Sequence, residues 1–136
     1  MKALTVKQPW AHWIVSGQKN VENRSRRTHY RGELLIHAGT AWDHTSQARQ
    51  IELELALGLT RPSSDDVPYG AIIGSVQVVN CIRDSWSPWA APGRWHWLLR
   101  NPVVFSTPIP CRGMLGLWNV PTELEAQLSG LSVRLA

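Results

Sequence analysis

Apolar and polar positions along this chain fall into short blocks, and most of the blocks read as strands. Residues 3–6 predict a short first strand. Gln8-Pro9 then opens a helix with proline at its favoured first position, and Gly17 stops it. Trp10, Trp13 and Ile14 stand at i, i+3 and i+4, the spacing of a core-facing helical stripe. After a polar run, GELLIHAG at residues 32–39 predicts a strand apolar enough to be buried on both faces. Asp43 or Thr45 is placed to cap a helix running to about Leu57, with Gly58 just past its end. Ile51, Leu55 and Leu59 lie near one stripe of that helix, and Leu53 and Leu57 widen it.

The second half continues in the same style. RPSSDDVP at residues 61–68 reads as a loop, and residues 70–82 carry the longest strand signal, which Gly74 interrupts as a bulge or bend. A loop rich in tryptophan and proline covers residues 84–93. Residues 94–99 and 103–105 predict two strands, with Trp95 and Trp97 on one face and His96 opposite, and residues 115–120 predict a last one. Thr122 and Glu125 fit a capping box for a short tail helix that Gly130 ends. Six or so short strands with two principal helices point to an α+β domain around a small, mostly antiparallel barrel. The expected division is a domain over residues 1–121 and a tail helix over 122–136, packed on it or trailing it.

Composition narrows the class. A chain of 136 residues, 43% hydrophobic, has material for one core. No run approaches the roughly 20 apolar residues of a membrane span, and MKALTVKQPW lacks the apolar stretch of a signal peptide. A cytoplasmic location and no membrane association are expected. Cys81 and Cys111 have no CxxC partner and no histidine at ligand spacing, so they read as reduced, half-buried thiols. No metal and no cofactor are expected. Eight tryptophans in so small a chain must be mostly core, leaving one or two to serve as a stacking platform for a base.

Charge is unevenly spread. Residues 2–31 hold Lys2, Lys7, Lys19, Arg24, Arg26, Arg27 and Arg31 against only Glu22, a local net of +6. Residues 43–66 hold Asp43, Glu52, Glu54, Asp65 and Asp66 against Arg49 and Arg61, a local net of −3. Such polarity gives one face suited to a polyanion. It is concentrated in GQKNVENRSRRTHYRG, residues 17–32, where only Val21 is aliphatic. The run is a set of hydrogen-bond donors fitted to an anion or to the polar edges of a nucleobase.

Several motifs together resemble the ASCH domain, of the PUA-like superfamily. They are QPW at residues 8–10, GxKxVExRSxxTxxRGxLxIxA over residues 17–38, the strand YGAIIGSVQVVNC and the closing PxxGxxGLW. The match covers about residues 3–120. The resemblance implies a PUA-like pseudo-β-barrel whose helix-lined cleft receives the GxKxxExR segment. It also implies binding of RNA or a modified base; the residues themselves leave RNA, DNA and a nucleoside-like small molecule open as partner.

The residues agree with that placement. In an extended segment Glu22 and Arg24 point the same way, and Lys19 reaches them if the chain turns at Asn20. A carboxylate held by two cations is ionised and fixed, able to accept from the exocyclic amine of cytosine or guanine. Arg26, Arg27 and Arg31 suit phosphates. Asn23 and Ser25 share the segment, and Lys7 and Gln8 lie where the first strand feeds the first helix. Tyr30 and His29 add stacking or phosphate contacts, against the plainer reading of surface polar residues. Lys19, Glu22 and Arg24 can equally be an ion pair tying a loop to the barrel, and Trp10 either a core plug or a cleft wall. His37 reads as a satisfied core histidine.

Catalysis is the alternative. Some small ASCH proteins are amidohydrolases on acetylated cytidine, with a pattern resembling GxKTxTxR in which Lys activates a Thr nucleophile. Lys19 and Arg24 match it, but Glu22 stands where that Thr belongs, and a carboxylate held by cations is a poor acyl acceptor. Metal-independent RNA cleavage, with Lys19 and Glu22 as acid and base, is the other enzymatic reading.

Overall fold

A computed structural model describes the backbone of residues 1–135 and the side chains of residues 1–131. The elements are β1 (Lys2–Gln8), α1 (Trp10–Val15), β2 (Val21–Arg24), β3 (Gly32–Trp42), α2 (Gln47–Leu57), β4 (Ala71–Ile82), β5 (Trp95–Pro110), β6 (Leu117–Asn119) and α3 (Thr122–Leu135). The strands form one sheet in the order β2-β5-β4-β3-β1-β6. Among the described residues only β1 and β3 pair in parallel; the other four pairs are antiparallel.

The period of two in the strands separates two cores. Leu34 and Ile36 of β3 join Leu4 and Val6 of β1, Val76 and Val78 of β4 and Trp97 of β5 in one cluster, which Ile14 and Val15 of α1 cover. Leu35 points the other way, into a cluster with Ala3, Ile72, Phe105, Ile109 and Trp118 that Leu128 and Leu131 of α3 complete. A third, smaller group joins Trp13, Val21, Leu53 and Trp89 beneath α2.

The sheet is open, with β2 and β6 as its edges. It nevertheless curls far enough for Arg24 on β2 to donate from Nη2 to the Thr5 carbonyl of β1, at 2.9 Å. One guanidinium thus bridges the seam where a closed barrel would have a ladder of backbone bonds. This α+β architecture is compatible with a PUA-like fold.

Several local expectations change. The strands foreseen at 94–99 and 103–105 are one strand, β5, bent at Asn101, whose φ is +53°. The polar segment 21–24 is a strand, because β5 supplies its pairing through Val21↔Leu98 to Arg24↔Trp95. Neither Asp43 nor Thr45 caps α2. Ser46 occupies that position without a side-chain bond, while Asp43 Oδ1 accepts from Thr45 N and Oγ1 in a local turn.

The α2 stripe of Ile51 and Leu55 faces outward, with Leu55 78% exposed; the helix instead buries Gln50, Leu53 and Glu54. Arg61 explains the rotation. Its Nη2 donates to Gln50 Oε1 at 3.1 Å, and its Nε lies 3.2 Å from Glu54 Oε1, so the polar residues are drawn inward. Gly130 does not end α3, which continues to Leu135. Packing of Leu128 and Leu131 on either side of it outweighs the ~1 kcal/mol helix penalty of glycine.

Gly74 behaves as expected. The β3–β4 register shifts between Ile36 and His37, and the β4–β5 register between Ile72 and Gly74. A Cβ at Gly74 would lie 2.1 Å from the Val103 carbonyl oxygen and 2.8 Å from Val15 Cγ1. Gly74→Ala is therefore predicted to destabilise the fold by about 1–3 kcal/mol, as overpacking does. Thermal unfolding should show this as a fall of roughly 3–15 °C in Tm.

Candidate nucleic-acid interface

The turn after α1 sets the site. Gly17, at φ +87°, reverses the chain, and the Lys19 amide donates to the Trp13 carbonyl at 2.8 Å. That bond fixes where Lys19 enters, and β2 then carries Glu22 and Arg24 side by side on the face they share with Trp97 and Trp95 of β5, opposite to Val21. Lys19 is 4% exposed and Glu22 7%. The Lys19 ammonium donates to the Val21 carbonyl and to Glu22 Oε1 at 3.3 Å, while Arg24 Nε donates to Glu22 Oε2 at 2.7 Å. Both carboxylate oxygens are thus held by cations.

These three residues form the floor of an open cleft of about 510 Å³, within the ~300–1,000 Å³ range of ligand sites. Trp10 and Trp89 wall one side, edge to face with centroids 6.3 Å apart. Trp10 is half-buried. Its Nε1 donates to Asp43 Oδ2 at 2.9 Å, and the Lys19 ammonium lies 5.9 Å from its ring. Trp10 packs on the core and also lines the cleft. Ser46 and, from the first two turns of α2, Arg49 and Leu53 line the cleft, β1 supplies Thr5 to Lys7, and Arg94 also lines it. Lys7, Lys19, Arg24, Arg49 and Arg94 face Glu22 and Asp43, a net of +3.

Electrostatics keep Glu22 charged. Burial alone pushes its pKa up, but the charges and hydrogen bonds of Lys19 and Arg24 together hold the carboxyl below the usual carboxylate range. Burial pushes the Lys19 ammonium down, and Glu22 only partly restores it. Asp43, despite partial burial, is held at about 2 by hydrogen bonds from Thr45, Trp10 and Ser46.

The remaining sequence candidates are dispersed. Asn23 lines the cleft but acts first as a clamp, donating to the Trp89 carbonyl and accepting from Ala91 N, at 2.9 and 2.8 Å. Gln8 is fully buried and spent on Pro68 O and His12 N. Ser25 lines the cleft, but Arg26 and Arg27 border a second one. Arg31 donates to the carbonyls of Thr28 and Tyr30, the Tyr30 hydroxyl donates to Glu33 O, and neither residue lines either cleft. His29 is exposed. His37 is buried; its Nε2–H donates to the Cys111 carbonyl and Nδ1 accepts from Thr5 Oγ1. Sequence reading missed Asp43, Arg49, Trp89 and Arg94 as cleft residues. Only the tryptophan-rich loop hinted at them, because the others are isolated in sequence and meet through tertiary contacts. Among the described residues no group of three or more His, Cys, Asp or Glu is placed to hold a metal, and no helix is long and apolar enough to cross a membrane.

The model of the ASCH domain matches residues 4–105. This chain belongs to the ASCH domain family. Activating signal cointegrator 1 of Homo sapiens is 26% identical over 137 aligned residues, and that of Mus musculus 26% over 133, each alignment covering 90% of this chain. The chain spans 22% of the length of these relatives. In fold it is similar to the crystal structure of ASCH from Zymomonas mobilis, with a TM-score of 0.61 and 17% identity over 96% of this chain and 94% of that one. A mutant form of the same bacterial protein gives a TM-score of 0.61 at 18% identity, over 96% of both chains.

The Glu22 clamp has a pH signature. A carboxyl whose folded pKa is depressed adds stability above its unfolded value, here 4.5, and that stability is lost as pH falls through the folded pKa. Asp43 adds a second loss, running from 3.8 down to about 2. The resistance of the protein to urea should therefore fall progressively below pH 4.5. Glu22→Gln should be about 3 kcal/mol less stable at pH 7, because Lys19 is left buried without its counter-charge, and flatter across the acid range.

Proposed function

We propose that this ASCH domain binds nucleic acid, with RNA the favoured polymer, and seats one nucleotide in the Lys19–Glu22–Arg24 cleft. The observation that carries this reading is a charge-fixed carboxylate at the floor of a cationic cleft, beside an indole wall. Glu22 keeps lone pairs for the exocyclic amine of cytosine or guanine. Trp10 supplies an apolar face for the base, and Lys7, Arg49 and Arg94 supply charge for phosphate. Membership of the ASCH family supports RNA over other anions.

The same geometry weighs against a hydrolase. A general base works best with a pKa near the operating pH; Glu22 is held below the ordinary carboxylate range, so the case against Lys19, which burial lowers, rests on its contacts. Lys19 is already engaged by Val21 O and Glu22. The cleft is better arranged to recognise than to move protons.

Fluorescence anisotropy with a labelled random-sequence RNA decamer tests this. Binding should weaken steeply with salt, and Arg94→Ala should reduce the salt slope by about one unit. Trp10→Ala should lower affinity by about 5- to 150-fold, the equivalent of ~1–3 kcal/mol of stacking. The RNA should remain full length on prolonged incubation. Affinity indifferent to salt and to Trp10, or shortened RNA that disappears with Lys19→Ala, would overturn the reading.

A further inference from the structure

Beyond the seam-bridging Arg24 lies a second cleft, of about 490 Å³. Its apolar floor is Leu4, Trp97 and Leu117, and its charged border is Arg26 and Arg27, with no carboxylate among its lining residues. Arg24 and Ser25 line both clefts. The two cavities are thus neighbours across one saddle on β2, and they share its guanidinium.

The saddle is more basic than the sequence suggests. Arg24 pairs opposite Trp95 in the β2–β5 ladder. Arg27 and Arg83 both stand over the Trp95 ring, their guanidinium carbons 5.4 and 5.0 Å from its centroid. Arg83 follows β4, so two arginines 56 positions apart in sequence (27 to 83) meet over one ring, while Arg94, just before β5, borders the first cleft. Arg26 and Arg27 are exposed, and the Arg26 carbonyl is anchored by Trp97 Nε1 at 3.1 Å, which fixes the segment at the cleft mouth. Leu115, 99% exposed, overhangs the opposite side.

We infer that the second cleft takes the neighbouring nucleotide of the same strand, its base over the apolar floor and the linking phosphate on the arginine saddle. The ligand is then a single-stranded segment of at least two nucleotides, not a free nucleoside. This rests on the proposed nucleic-acid function of the first cleft. An apolar floor, a rim of exposed guanidinium groups with no carboxylate among the lining residues, and continuity with a cationic cleft match alternating bases and phosphates.

Anisotropy and calorimetry with two probes test the inference: the random-sequence RNA decamer and the four nucleoside monophosphates. The decamer should bind at least about tenfold more tightly than any monophosphate. Arg26→Ala with Arg27→Ala should flatten the decamer's salt slope by about two units. Leu115→Glu, at a site too exposed to disturb folding, should weaken the decamer by like-charge repulsion. If monophosphates bind as tightly as the decamer, or the decamer ignores all three substitutions, the second cleft is not a nucleotide site and only this inference falls. If neither probe binds, the nucleic-acid reading falls with it. If the substitutions weaken a peptide pool but not the decamer, the cleft serves a protein partner and the inference is overturned.

Discussion

Glu22 sits buried between Lys19 and Arg24, and the surrounding architecture depends on that charge balance. Without Glu22, Lys19 would be a buried ammonium with one carbonyl for company. Arg24 would lose the partner that orients its guanidinium toward the Thr5 carbonyl. That contact holds edge strand β2 against β1 across the open side of the sheet. Buried ion pairs often add little net stability over apolar packing, because desolvation offsets attraction. The gain here is placement, with one short polar strand locked at the seam between two clefts.

The walls follow from that placement. Asn23, between Glu22 and Arg24, turns to the opposite side and clamps the loop bearing Trp89. Arg49 of α2 donates to the Pro88 carbonyl, tying the helix to that same loop. Asp43 holds the Trp10 indole through a hydrogen bond that also keeps the carboxylate ionised. Each wall is anchored by a side chain bonded to backbone or to another fixed side chain. Such a cleft is ordered before a ligand arrives, which reduces the entropy lost on binding.

Much of this was legible from local pattern. The strand alternation around Leu34–Ile36, the bend at Gly74 and the grouping of Lys19, Glu22 and Arg24 all depend on neighbours in sequence. Features set by distant partners were not legible. β2 has one aliphatic residue and becomes a strand only because β5 pairs with it. The outward turn of Leu55 depends on Arg61 reaching back to Gln50 and Glu54. Arg31 looked like its neighbours Arg26 and Arg27, but its donors are satisfied by the local backbone. Arg27 and Arg83 became visible as a pair only when the fold brought both over Trp95.

The claim that the clamped Glu22 floors a nucleotide site is tested most directly by nuclear magnetic resonance during titration with the RNA decamer. The indole N–H signals of Trp10 and Trp89, and the amides of Lys19, Glu22 and Arg24, should shift first and most. Amides of α3, which packs on the far core, should stay in place. Shifts confined to α3, or an unmoved Trp10 indole at saturating RNA, would contradict the account.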